Sequence, residues 1–323
     1  MTERGHNWAI PRMSLHRRPR IGLALGGGGA RGLAHIGVLQ TLQRAGIPVD
    51  CLAGTSMGAV IAAGYAAGMS PAELEQEATA ATRLHHLLSL ADAGVPDGGL
   101  LRGRRLMRYF ERCLRQTSFA DLHLPLAVVA VDLNTRREVV LREGPVALAL
   151  RATTAVPGLF APLELDGQRL VDGGLLNNLP VDVVRQMGAQ VVIAVDVTAT
   201  AETSFIGWAG DHRWVPGKLT ETLRALEDAM GTLVMAAEER KLCEYPPDVL
   251  IRPTAPPGVG VLTGYHRVAE LVACGESAAQ AALPQIQAAA RPRRLWPVRS
   301  QARPARQGTA GAQEAIPLRQ QAS

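Results

Sequence analysis

Val49-Asp50-Cys51-Leu52-Ala53-Gly54-Thr55-Ser56-Met57-Gly58-Ala59-Val60 is the stretch on which the reading of this 323-residue chain turns. The apolar run Cys51–Ala53 reads as the end of a buried strand, and a small-residue apolar helix is predicted from Met57 to roughly Gly68. Between them lies Gly54-x-Ser56-x-Gly58, the spacing of a nucleophile elbow. So sharp a strand-to-helix turn crowds the residues two before and two after the serine, and glycine, lacking Cβ, fits both places. Ser56 is then expected in a strained conformation, its Oγ above the sheet edge at the positive end of a helix.

Upstream, Arg20–Leu25 reads as a first buried strand running into Gly26-Gly27-Gly28-Gly29-Ala30-Arg31-Gly32, followed by a helix from Leu33 to about Ala45. With the elbow strand this makes a strand–helix–strand unit, so a parallel sheet with a right-handed crossover is expected. Downstream, Ser70-Pro71-Ala72-Glu73 is a helix start with N-cap, Pro at N1 and acid at N3. Residues 84–103 read as irregular, and Arg104–Arg115 as an amphipathic helix. Leu126–Asp132 reads as a third buried strand with Glu138–Arg142 as hairpin partner, and Val146–Ala152 as helical. Thr153–Pro162 is expected as a loop, and Arg169–Val171 as a strand ending in Asp172-Gly173-Gly174. Then come a helix from Pro180 to Met187, a strand over Gln190–Val197 and an irregular insertion over 199–218 with Phe205, Trp208 and Trp214. A long helix from Leu219, a strand Val249–Ile251 and a closing helix from Gly264 to roughly Ala289 complete the body.

Hydrophobic content of 47% with 20% charged residues is globular composition, and 4% aromatics means a core of Ala, Val and Leu. The net charge of +5 is uneven: residues 1–20 carry +4 and 288–323 carry +6, which leaves 21–287 at −5. The expected organisation is a disordered basic arm over 1–19, one domain over 20–290 with its motifs in 20–197, and a disordered Arg/Pro/Gln-rich tail over 291–323. Such arms suit contact with anionic lipid or nucleic acid, or simple solvation. No nucleic-acid partner is expected, and the sequence says nothing of oligomeric state. No apolar stretch reaches membrane-span length, and no clean apolar run marks a secretory signal. The scattered Cys51, Cys113, Cys243 and Cys274 read as reduced thiols, which suits the cytoplasm, with peripheral contact at the inner membrane face.

Acyl transfer needs a nucleophile, a base and donors for the oxyanion. Ser56 supplies the first, and the glycine run Gly27, Gly28 and Gly29, joined by the Met57 N–H, supplies the donors. A rival reading exists, because Gly27-x-Gly29-x-x-Gly32 also spells a dinucleotide fingerprint. That motif wants an acid at the end of the second strand, whereas Asp50 stands at its start; no Lys-Ser or Lys-Thr makes a Walker A loop. The base is open between Asp172, which ends a strand before two glycines, and a triad using Asp172 or Asp196 with His212 or His266. No HExxH, His/Cys cluster or EF-hand pattern is present, so neither metal nor cofactor is expected.

Gly27-x-Gly29-x-x-Gly32, Gly54-x-Ser56-x-Gly58 and Asp172-Gly173-Gly174, in that order, resemble the patatin-like phospholipase family, and within it the bacterial, neuropathy-target-esterase-like branch. Gly99-Leu100-Leu101-Arg102-Gly103 and Arg151-Ala152-Thr153-x-x-x-Pro157-Gly158-Leu159-Phe160-x-Pro162 match as well, over about Arg20–Val197. The resemblance implies a three-layer α/β/α fold with a mostly parallel central sheet and a Ser–Asp dyad without histidine. It makes Ser56 the nucleophile, Asp172 the base and Gly27–Gly29 the oxyanion donors, with Arg31, Gly32, Gly54, Gly58, Gly173 and Gly174 as motif support. Thr153 stands where the family usually has serine, with its hydroxyl kept. The activity implied is hydrolysis of phospholipid or lysophospholipid esters. Its rivals are an esterase with a Ser–Asp–His triad and a catalytically idle adaptor of the same fold.

Overall fold

The computed structural model describes residues 18–83, 99–198, 217–261 and 263–291. The basic stretches before and after these, the 199–216 part of the expected insertion with Phe205, Trp208 and Trp214, and His212 lie outside the described residues. The first unit is β1 (Ile21–Leu25), a 3-10 turn (Gly29–Leu33), α1 (Ala34–Arg44), β2 (Cys51–Thr55) and α2 (Met57–Ala66). α1 therefore starts one residue later than expected, because the chain leaves the glycine run in the tighter 3-10 winding. Next come α3 (Pro71–Arg83), β3 (Gly99–Leu101), α4 (Arg104–Cys113), β4 (Leu126–Asp132), β5 (Arg137–Leu141) and α5 (Val146–Thr153). The start of α3 carries the expected reciprocal cap. Ser70 N donates to Glu73 Oε2 at 2.7 Å and Glu73 N donates to Ser70 Oγ at 3.3 Å.

The second half runs β6 (Gly158–Phe160), β7 (Leu163–Leu165), β8 (Gln168–Asp172), α6 (Val181–Gln186), β9 (Val191–Val195), α7 (Gly217–Glu244), β10 (Val249–Ile251) and α8 (Val268–Ala289). Three strands depart from the sequence reading. β3 and β6 form a separate two-stranded parallel sheet, inside stretches expected to be irregular. β7 pairs with β8 across Asp166-Gly167, both with positive φ (49° and 77°), as a two-residue hairpin demands. The closing helix begins at Val268 because Gly264 turns left-handed (φ 92°) ahead of it.

The central sheet has the order β10-β9-β1-β2-β4-β8-β7, with β5 also on β4. β10, β9, β1, β2 and β4 pair in parallel, while β5, β8 and β7 are antiparallel. Every residue of β1, β2, β4 and β9 is buried, which is why they read as continuous apolar runs. Their side chains alternate between two cores. Leu23, Leu25, Leu52, Val128 and Ile193 pack with residues of α1, α2, α5 and α8. On the other face Ala24, Ala53, Ala127 and Ala194 meet Val181, Val183 and Val184 of α6, with Leu242 of α7 packed alongside. This is an α/β/α sandwich, and alanine on one face of the sheet lets α6 lie close to it.

Candidate active site

β4 assembles the site. Its first half holds β2 in parallel up to the pair Thr55↔Val129, and its second half holds β8 antiparallel from the pair Ala130↔Asp172. β5 spans both halves, so it takes the opposite edge of β4. β2 and β8 thus meet end to end on one edge, their last residues paired to consecutive β4 residues. The turn after Thr55 is where Ser56 sits, and Asp172 is the last residue of β8.

Ser56 has φ 51° and ψ −125°, the strained turn that the elbow spacing requires. The crowding around it differs in part from the sequence expectation. A Cβ on Gly54 would lie 2.6 Å from Ala59 Cα, within the turn, but one on Gly58 would lie 2.2 Å from the Leu25 carbonyl oxygen. Gly58 is needed because α2 starts against the end of β1. The Ser56 N–H donates to Thr153 Oγ1 at 2.9 Å, and the Thr153 hydroxyl donates in turn to Val129 O at 2.5 Å. Thr153 therefore ties the elbow to β4 at the residue where β2 gives way to β8. The sequence reading noted its hydroxyl and missed this contact.

Asp172 is 7% exposed and its Oδ1 accepts the Gly174 N–H at 2.8 Å. Burial pushes its pKa up to about 6, against the Gly174 N–H bond and the nearby Ser56 side chain. An open cleft is lined by Gly27, Gly28, Gly29, Arg31, Ser56, Asp172, Gly174 and Asn178, with apolar walls from Val156, Leu175, Met230, Val234 and Val261 among others. No histidine lines it among the described residues. His266 is exposed on the turn before α8.

Of the glycine donors, Gly27 is already committed, since its N–H donates to Asn178 O at 3.2 Å. The N–H groups of Gly28, Gly29 and Met57 take no partner among the described residues. His35, which the sequence reading passed over, supports this loop: it is fully buried and its Nε2 donates to Gly26 O at 2.8 Å. Burial lowers its pKa to about 4, which keeps the ring neutral at ordinary pH. Asp50 stands at the other end of β2. Its carboxylate takes the Arg18 guanidinium at 2.6 and 2.7 Å and the Ile21 N–H at 2.7 Å, which gives it a structural task.

Arg31 is the unusual cation. It is 3% exposed, lines the cleft, and its Nε, Nη1 and Nη2 have no hydrogen-bond partner among the described residues. Burial pulls its pKa down to about 10, with Tyr265 and Asp196 opposing.

Residues 23–185 match the family model described as patatin-like phospholipase. The chain belongs to the patatin-like phospholipase family. It is 39% identical over 199 residues to patatin-like phospholipase domain-containing protein 6 of Homo sapiens, covering 58% of this chain and 14% of that protein. An uncharacterized NTE family protein of Mycobacterium tuberculosis (strain ATCC 25618 / H37Rv) is 38% identical over 184 residues, covering 56% of this chain and 50% of its own length. A second such protein of that strain is 35% identical over 274 residues, covering 81% and 46%. The chain thus spans about half the length, or less, of these relatives. Among solved structures, VipD from Legionella pneumophila aligns with a TM-score of 0.54 at 16% identity over 84% of this chain and 67% of that one, a likeness of fold.

Proposed function

We propose that this protein is a serine lipid acyl hydrolase that cleaves phospholipid or lysophospholipid carboxylic esters through an acyl-enzyme on Ser56. The observation that carries the reading is the meeting of β2 and β8 on one edge of β4, which brings Ser56 beside a buried Asp172. In this reading Asp172 takes the Ser56 Oγ proton as Oγ attacks the ester carbonyl carbon. Negative charge develops on the carbonyl oxygen, and the N–H groups of Gly28, Gly29 and Met57 receive it. Collapse breaks the bond to the alcohol portion, which leaves with the proton from Asp172. Asp172 then deprotonates water, whose oxygen attacks the acyl carbon; collapse frees the fatty acid from Ser56 Oγ, and Asp172 returns the proton to that oxygen.

A carboxyl group with a pKa near 6 suits both tasks, since it is mostly ionised at neutral pH yet basic enough to take a proton. The apolar cleft walls fit an acyl chain. Arg31, whose three guanidinium nitrogens in the same cleft have no partner among the described residues, favours a substrate that carries phosphate over a neutral glyceride. A fluorophosphonate probe should label Ser56, and a lipid panel should show turnover of phosphate-bearing esters above neutral ones. Ser56→Ala and Asp172→Asn should abolish turnover with the fold intact, while His212→Ala and His266→Ala should keep most of it. A histidine change that cost about a thousandfold or more would mean a triad base in place of the dyad. Turnover unaffected by Ser56→Ala would end the reading altogether.

A further inference from the structure

Glu238 on α7 is 5% exposed and takes no part in the steps above. Its Oε2 accepts from Asn178 Nδ2 and from Thr198 Oγ1, both at 2.8 Å. The same Asn178 Nδ2 donates to Gly27 O at 3.2 Å, and the Asn178 main-chain carbonyl accepts the Gly27 N–H at 3.2 Å. One residue therefore grips both polar backbone groups of Gly27, and Glu238 orients that residue. Asn178 also fills the space above the glycine, for a Cβ on Gly27 would lie 2.6 Å from Asn178 Oδ1.

We propose that Glu238 is a positioning residue for the glycine loop: it orients Asn178, which sets Gly27 and so aims the N–H groups of Gly28 and Gly29. The proposal rests on the assignment of that loop to the oxyanion. A second acid stands near Glu238: Asp196, whose charge raises the Glu238 pKa and which is itself ion-paired to Arg252 Nε at 2.8 Å. Burial, then the Asp196 charge, push Glu238 up to about 7. The other charges around the pair are Arg31 on the 3-10 turn and His35 on α1, both of which feel Asp196. Lys241, one turn along α7, is committed to Asp182 at 2.5 Å and Glu138 at 3.2 Å and does not neutralise Glu238.

As pH rises through about 7, Glu238 loses its proton, a second negative charge develops near Asp196, and the repulsion disturbs the grip on Asn178. The rate should therefore rise through the Asp172 pKa and fall again through that of Glu238. Glu238→Gln separates this from a packing role, because its amide stays uncharged near Asp196 at every pH while its carbonyl still accepts from Asn178. The test uses the full chain, p-nitrophenyl butyrate as substrate, and kcat and KM measured from pH 5 to 9. Glu238→Gln should keep the neutral-pH kcat within about threefold and lose the alkaline fall, while Glu238→Leu should lose about a hundredfold in kcat at little change in KM. Hydrogen exchange over Gly26–Gly32 gives a readout free of turnover: Glu238→Leu should speed it and Glu238→Gln should not. An alkaline fall that persists in Glu238→Gln, or a loop whose exchange is indifferent to Glu238→Leu, would overturn the proposal. A wild-type chain that hydrolyses nothing while its loop exchange still answers to Glu238 would overturn the hydrolase reading alone.

Discussion

Asp172, the proposed base, is also a burden on the fold. Its ordinary pKa of 3.8 rises to about 6 in the fold because burial penalises the charge. The folded state thus binds the proton more tightly than the unfolded chain, and stability falls as pH rises between those values. Asp172→Asn should therefore unfold at higher urea than wild type above pH 6, by at most about 3 kcal/mol, with the gain shrinking toward pH 4. Urea titrations at pH 5 and 8 check this, and an equal gain at both would assign it to something other than the charge. Thr153 gives a second test at this scale. Thr153→Val leaves the buried Ser56 N–H and Val129 O without partners, a loss of about 1–3 kcal/mol, and should also lower kcat as the elbow loosens. Thr153→Ser keeps the hydroxyl and should restore both.

Among the elements, α1 and α8 cross where both carry glycine. A Cβ on Gly275 would lie 1.9 Å from Ala34 O, and one on Gly37 would lie 1.9 Å from Val272 O. In an exposed helix Gly→Ala stabilises by about 1 kcal/mol, but overpacking at a close crossing costs about 1–3 kcal/mol. The second effect wins here because the atom in the way is backbone, which cannot rotate aside. Gly275→Ala should lower stability in urea titrations. It should also lower kcat, since Ala34 opens α1 directly after the glycine loop and is pushed with it. A neutral or stabilising result would mean that the two helices part without strain.

At the scale of the molecule, the body between the arms is mildly acidic while both ends are basic. Among the described residues no helix is long and apolar enough to cross a membrane. The proposed phospholipid substrate predicts contact with a bilayer surface, where each arginine near an anionic leaflet contributes about 1 kcal/mol, screened by salt. Sedimentation with anionic vesicles should show binding that weakens at high salt and on removal of residues 291–323. Trp208→Ala with Trp214→Ala should weaken it at either salt level, because tryptophan favours the interface. Equal binding by all three forms would leave the arms as solvated tails.

The elbow, the glycine loop, the cap at Ser70 and the buried parallel strands were legible because each depends on neighbours a few residues away. Gly54-x-Ser56-x-Gly58 carries its own steric reason, and an apolar run covered on both faces needs no partner to be recognised. The β7–β8 hairpin was legible too, since Asp166-Gly167 is a two-residue turn signal, though it was passed over. The rest depended on distant segments. The meeting of Asp172 with Ser56, more than a hundred residues apart, comes from β4 holding β2 on its first half and β8 on its second. Asn178 removes Gly27 from the free donors, Thr153 holds the serine N–H, and Glu238 reaches the loop from a helix sixty residues beyond Asn178. Sequence alone determined which local shapes this chain can make. Only the tertiary structure decided which of their polar groups are spent on one another and which remain for a substrate, because hydrogen bonds across a fold leave no periodicity in the chain.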